Sequence, residues 1–347
     1  MPTILTRAVL REVTLWYVAG VLLFFSLQMT DALASTVSRI MTYDPPLGKA
    51  LAAFAAYLPS VLNKTLAAAV PFAVLLTFSR MQRDSELKAA HAAGVRPLSL
   101  VWPLLLPFAV VSVLAFWNTG TLVPAGLKNW DRAWFDIYGQ AVPPATQDSY
   151  TYAPPGALYH AGRVQTADDN GVAPLSGVMV QRGTETLTAQ SGSWDTRKQT
   201  WTLTTPWVVK PGERPRQLPT LTVPQNDVLR PPPPDPKQVS NAELRATLAR
   251  PDLRPAQQRD YQFQFWQRLA DPVTPMVFAL AAGALGLLIR NRAAAFAAVL
   301  VFIVCFYALW VTMPTLARAG ALDPALAAWL PNAAFLLLAG ALAWRLR

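Results

Sequence analysis

The residues able to do chemistry are few and scattered. The chain has two histidines, His91 and His160, and one cysteine, Cys305. Histidine-rich zinc sites need more ligands than that, and Cys305 has no second cysteine with which to close an intrachain disulfide. No G-x-x-x-x-G-K-[ST] phosphate loop occurs, and no G-x-S-x-G nucleophile elbow. Asp31 and Asp271 fall at the ends of apolar runs, whereas a proton-driven carrier more often places its acids deep within a span. The expectation is a chain with no catalytic set, no metal and no cofactor, which moves or holds something and draws its energy from a partner.

One polar island could receive that energy. Ser79–Pro97, SRMQRDSELKAAHAAGVRP, lies between two long apolar runs. Asp84 or Ser85 can cap a helix start, because a side-chain oxygen accepts the free N–H groups of the first turn. Glu86 places negative charge where the helix dipole favours it. Gly94 suits the left-handed position after a helix, and Pro97 prevents continuation. Spacing predicts a helix of about two to three turns. Two readings fit it, a docking handle for a cytoplasmic partner and an ordinary capped connector, and spacing by itself favours the connector. The small residues Ala89, Ala90 and Ala93 would let another protein approach closely.

The elements that hold this island are apolar. The chain has 347 residues, 53% hydrophobic and 14% charged, with a net charge of +10. Leu98–Trp117, Ala293–Met313 and Ala325–Trp344 carry no charge, and uncharged stretches of about 20 residues read as membrane spans. The cations form no stripe beside stacking aromatics, so a nucleic-acid partner is not expected. They crowd the span ends instead, as the positive-inside rule requires.

Residues 3–12 are expected to form a short amphipathic helix at the membrane surface, and Val13–Met29 the first span. A signal peptide is the rival reading, with Ala32-Leu33-Ala34 as its cleavage site; the long apolar core and Asp31 favour a retained span. Residues 44–49 form a turn. Ala50–Phe78 is too long for one bilayer crossing, so a lead-in helix, a bend at Pro59 and then the second span are expected. Lys64 either faces a cavity or partner, or snorkels to the headgroups. The third span is Leu98 to about Thr119.

From Val123 the composition becomes polar. Leu175–Gln181, Thr184–Gln190, Gln199–Val209 and Gln217–Val223 alternate with period two, the mark of strands with one buried face. A hairpin turn is expected near Thr196–Lys198. Pro231–Pro234 and Pro236 make a stiff linker, and Ser240-x-x-Glu243 is a capping box. A polar helix follows from Ala256; Tyr261, Phe263, Phe265 and Trp266 sit either at the outer interface or against the β domain. Pro272–Ile289, Ala293–Met313 and Ala325–Trp344 are spans four to six, with Arg290–Arg292 a short basic loop. The fold class expected is an α-helical membrane protein with six transmembrane helices, three plus three, around an inserted extracytoplasmic all-β domain, both termini cytoplasmic. Residues 1–122 would carry spans one to three with the docking helix 84–94, residues 123–255 the β domain and linker, and residues 256–347 spans four to six.

This plan resembles the LptF/LptG permeases. Leu76–Gly94 is similar to the family's arginine-then-Ser-Glu-Leu, then Ala-Ala-Gly, segment. Leu58-Pro59, Trp266–Gly286 and the Leu330-Pro331-Asn332 opening of span six match in order and spacing. The resemblance implies a permease subunit of the ABC exporter that extracts lipopolysaccharide, or a related envelope glycolipid, from the bacterial inner membrane. Its partners would be a cytoplasmic ATPase dimer, a second permease of the family and a periplasmic bridge protein. The short helix would be the coupling helix, with Asp84, Ser85, Glu86, Leu87, Ala90 and Gly94 at the ATPase and Glu86 the main polar contact. Spans one and five would form lateral gates, and the β domain would be a periplasmic jelly roll. The lysine cluster that some members carry after span one is replaced by Thr30–Thr36, so Arg39, Lys49 and Lys64 stand in as lipid-headgroup contacts. After Asn118 this chain has Thr119 where the family has an acid. Two other classes stand beside it: a membrane-anchored scaffold whose β domain binds an envelope partner without transport, and a membrane hydrolase, for which no nucleophile–base pair is visible.

Overall fold

The computed structural model describes residues 3–139, 145–229, 232–251, 253–289 and 291–346. The side chains of Thr3 and Asp31, and all of Pro231, Arg290 and Arg347, lie outside the described residues. The chain divides into two compact units, Met1–Gln140 with Asp235–Arg347, and Ala141–Pro234.

The first unit is helical: α1 (Thr3–Tyr43), α2 (Leu47–Arg83), α3 (Glu86–Ala92), α4 (Leu105–Trp117), α5 (Val123–Ile137), α6 (Asn241–Leu248), α7 (Pro255–Ala270), α8 (Thr274–Gly286), α9 (Arg292–Ala319) and α10 (Pro324–Arg345). Six stretches are long and apolar enough to cross a membrane: Ile4–Tyr43, Leu47–Arg83, Pro97–Ile137, Pro255–Gly286, Arg292–Ala319 and Pro324–Arg345. Three precede the β-sheet and three follow it, as the apolar runs predict.

Several boundaries differ from expectation. The surface helix over residues 3–12 is not a separate element; it is the start of α1, because no proline or glycine interrupts the chain before Gly20. Pro59 and Pro71 both lie within α2, where neighbouring spans can satisfy the freed carbonyls. The polar segment after Val123 stays helical to Ile137. It joins α4 through a π-helical turn at Asn118–Leu122, in which Asn118 Nδ2 donates to the Pro59 carbonyl at 2.9 Å and Thr119 Oγ1 to Asn63 Oδ1 at 3.1 Å. Thr119 therefore ties span three to span two where an acid was expected. The capping box forms as read: Ser240 and Glu243 close the start of α6 reciprocally, and the Ser240 backbone N–H holds the Glu243 carboxyl below its ordinary pKa.

The core of this unit lies where α2 meets α8 and α4. Leu75, Phe78, Met81, Leu104, Phe108 and Phe278 are fully buried. Small residues bring the backbones together: a Cβ on Gly286 would lie 3.0 Å from Phe78 Cβ, and one on Gly126 of α5 would lie 2.3 Å from the Ala56 carbonyl oxygen of α2.

The second unit is one antiparallel sheet: β1 (Thr146–Tyr152), β2 (Ala157–Gln165), β3 (Val172–Arg182), β4 (Glu185–Asp195), β5 (Thr200–Thr204), β6 (Trp207–Val209), β7 (Arg216–Gln217) and β8 (Thr220–Pro224). The order is β1-β2-β3-β4-β5-β8, with β6 pairing β4 and β7. Trp194 faces Trp201 across the expected hairpin, and both are fully buried. The run Gln199–Val209 is two strands, because Thr205 takes a positive φ of 48° and Pro206 has no N–H for the ladder.

Candidate functional site

The polar island forms a short helix whose two ends are closed by different means. α2 ends at Arg83, with Asp84 as its C-cap. Ser85 precedes α3 with φ +61° and makes no side-chain cap bond. An N-cap normally needs extended backbone to reach the first-turn N–H groups, so the left-handed turn excludes the expected cap. Asp84 does not cap α3 with its side chain either; it accepts from Arg80 Nη1 at 3.0 Å and Arg83 Nε at 3.1 Å. Those cations, Arg83 foremost, hold its carboxyl below its ordinary pKa.

The far end matches expectation. Gly94 has φ +79°. Its N–H donates to the His91 carbonyl at 2.9 Å, and the Val95 N–H donates to the Ala90 carbonyl at 3.0 Å. This pair of bonds is the Schellman closure, which satisfies the last carbonyls of the helix.

Leu87 and Ala90 are buried, and Leu87 joins the same apolar core as Leu75, Phe78 and Met81. These two residues seat α3 on the spans. The surface left open is Lys88, Ala89, His91, Ala92 and Ala93, so the small exposed face contains Ala92 in place of Ala90. Glu86 is engaged within the chain, its Oε1 accepting from Arg80 Nη1 at 2.6 Å. Arg80 also donates from Nε and Nη2 to the two carboxylate oxygens of Glu12 on α1.

The three residues expected to meet lipid headgroups occupy different places. The Arg39 guanidinium stacks over Trp130 and Trp134 of α5, 5.7 and 4.8 Å from the ring centroids. Lys49 pairs with Asp136 at 3.0 Å, both side chains exposed. Lys64 lies 5.7 Å over the Trp310 ring of α9, and the Trp310 indole N–H points at the Asp271 carboxylate, 3.3 Å from Oδ1. The structure does not gather them into one cluster of contacts. Asp271, read from sequence as a span-end acid, is tied to the fifth span.

A family model described as lipopolysaccharide export system permease LptF/LptG matches residues 7–345. The chain belongs to the LptF/LptG family. It is accordingly a non-catalytic permease component of lipopolysaccharide export and a multi-pass inner-membrane protein. No curated protein sequence matches the chain significantly. Among the described residues no group of three or more His, Cys, Asp or Glu is placed to hold a metal ion.

Several residues at these sites escaped the sequence reading. Glu12 and Arg80 are 68 positions apart, and nothing local joins them. A signal existed nonetheless: Glu12 and Asp31 are the only acids in the 41-residue α1. Trp130 and Trp134 stand four apart on α5, the spacing that puts two side chains on one helix face. Tyr261 and Phe263, expected at the outer interface or against the β domain, are buried, Tyr261 with Val239 and Leu244 and Phe263 with Met313, Ala317 and Ala327. That places them among helices of the first unit.

Proposed function

We propose that this LptF/LptG chain is one permease of a paired membrane core in an ABC-type exporter, and that α3 is the helix through which a cytoplasmic ATPase dimer drives it. The observation that carries this reading is the form of α3: seated by Leu87 and Ala90, closed by Gly94, and open on a face of small residues flanked by Lys88 and His91. The basic loops support a cytoplasmic side for α3 and both termini and a periplasmic side for the β unit.

The second permease, a paralogue or another copy of this chain, pairs along α1 and α9. In their most apolar stretches only 17% of residues are buried, against 67% in α2 and in the Pro255–Gly286 span. Those open flanks support lateral gates through which lipid enters from the membrane. Arg39, Lys49 and Lys64 meet the headgroup of lipopolysaccharide or a related envelope glycolipid. The cavity must bind lipid less well after nucleotide-driven closure, or nothing is expelled. The β unit then passes the lipid to a periplasmic bridge protein.

Copurification tests the reading. The tagged chain should bring down an ATPase, and native mass spectrometry should report it together with bound lipid. Ala93→Trp on the exposed face, or Glu86→Lys, should remove the ATPase and leave the folded permease. Wild-type chain that binds an envelope protein and no ATPase would establish the scaffold reading instead.

A further inference from the structure

The polar connection between α3 and the first span runs through one side chain. Arg80 lies at the end of α2, half-buried, with its side chain 29% exposed. Its Nε and Nη2 serve both carboxylate oxygens of Glu12. Its Nη1 serves Glu86 Oε1 at 2.6 Å and Nη2 serves Glu86 Oε2 at 3.1 Å. A guanidinium presents two forked edges and so can hold two carboxylates at once in fixed geometry; a lysine ammonium cannot. Asp84 adds a further acceptor at 3.0 Å from Nη1.

The apolar surroundings keep the three elements in place. Glu12 lies between Val9 and Val13 on α1, both 2% exposed, and these valines share one core with Leu87 of α3 and Met81 of α2. Packing holds the elements together, and the guanidinium fixes their register. Charge-assisted bidentate bonds are stronger than neutral hydrogen bonds and add geometric specificity that apolar contacts lack.

We infer that Arg80 is a positioning residue that ties α3 to α1 through the chain Glu86–Arg80–Glu12, so that a movement of α3 is passed to the first span. This rests on the reading of α3 as the ATPase-facing helix and extends it to the route by which the motion leaves that helix. When α3 shifts, Glu86 draws the guanidinium, and the guanidinium draws Glu12 and the cytoplasmic end of α1. Asp84, on the short turn between α2 and α3, keeps Arg80 from following α1 alone.

Two measurements on the full chain test this. In detergent, without any partner, backbone amide exchange of residues 86–95 is compared among wild type, Glu12→Gln, Arg80→Gln and the double variant. Glu12→Gln should speed exchange in α3 about tenfold although Glu12 lies on another helix, and the double variant should equal Arg80→Gln alone. Unchanged α3 exchange in Glu12→Gln overturns the link. The second measurement uses the complete exporter in liposomes. Glu12→Gln should leave ATPase binding and ATP hydrolysis intact while lipid release per ATP falls about tenfold. Arg80→Lys should lower release per ATP likewise, because an ammonium keeps the charge but cannot hold both carboxylates in fixed geometry. Release per ATP at the wild-type level in Glu12→Gln overturns the proposal. If wild-type chain binds no ATPase, the docking reading fails, and the exchange measurement still decides whether Arg80 links α3 to α1.

Discussion

Asn332 on α10 donates from Nδ2 to the Ala270 carbonyl at 2.7 Å, at the end of α7. The backbone tightens there to a 3-10 turn at Asp271–Val273, and the Thr274 N–H turns to the Asp271 carbonyl. Asn332 thus ties the sixth span to the point where the α-helical pattern of the fourth is interrupted. The other end of the same amide accepts from Thr274 Oγ1 at 3.0 Å. Asn332→Leu should lower stability in detergent by about 1–3 kcal/mol, since it removes a buried bond to the Ala270 carbonyl and takes the acceptor from the buried Thr274 hydroxyl. Thr274→Val should cost less, about 0.5–1.5 kcal/mol. Equal melting of wild type and Asn332→Leu would show that the carbonyl finds another donor.

Gly94→Ala tests the closure of α3 without disturbing its surroundings. No atom lies within 4 Å of a Cβ built there, so the penalty is the left-handed backbone alone, about 1–2 kcal/mol. The expected result is faster exchange of the Val95 amide and weaker ATPase copurification, with the global melting point little changed. Gly94→Asn should be milder, because asparagine tolerates that region better.

The β4–β5 turn carries a pH dependence. The Asp195 carboxylate accepts the Lys198 and Arg197 backbone N–H groups at 2.9 and 3.1 Å. These bonds, that of Lys198 foremost, favour the charged form and hold the Asp195 pKa below its ordinary value. A depressed carboxylate contributes stability above the unfolded pKa of about 3.9, and loses it as pH falls through the folded value. Protection of the β4 and β5 amides, corrected for intrinsic exchange, should therefore decline below about pH 4. Asp195→Asn should show lower protection at pH 6 and a flatter profile below it.

Charge reversal at Arg39, Lys49 and Lys64 together should reduce export by about tenfold or more, given roughly 1 kcal/mol per cation near an anionic headgroup. The readout is transfer of labelled lipopolysaccharide from proteoliposomes. Unchanged transfer would remove all three from the headgroup site. Arg39→Lys separates charge from stacking, because an ammonium lacks the flat face that lies over Trp134.

What could be read in advance was local. The six spans follow from run length, the capping box of α6 from a four-residue spacing, and the left-handed end of α3 from Gly94 followed by Pro97. The β4–β5 hairpin followed from Trp194 and Trp201 flanking a polar turn. β1 escaped notice because TQDSYTY is polar and buries Tyr150 alone, and β2 because His160, Gly162 and Arg163 break up its apolar residues although it buries Tyr159, Ala161 and Val164. The failures at the site are of another kind. Leu87 reads as part of a docking face until the fold shows it buried. Ser85 reads as a cap until its backbone is seen to be left-handed. Both depend on how the turn after Arg83 directs α3 against α2, and no local spacing encodes that.

Thr3–Tyr43 is a single 41-residue helix with no internal proline, about 60 Å long at 1.5 Å per residue. It is gripped near one end by Arg80 at Glu12 and near the other by the Trp130–Trp134 pair at Arg39. The two grips are 27 residues apart, about 40 Å, more than the hydrocarbon thickness of a bilayer. A rod held this way acts as a lever arm. A push of an ångström or two at the Arg80 grip would become a tilt, carried to the Arg39 end without any change in the helix itself.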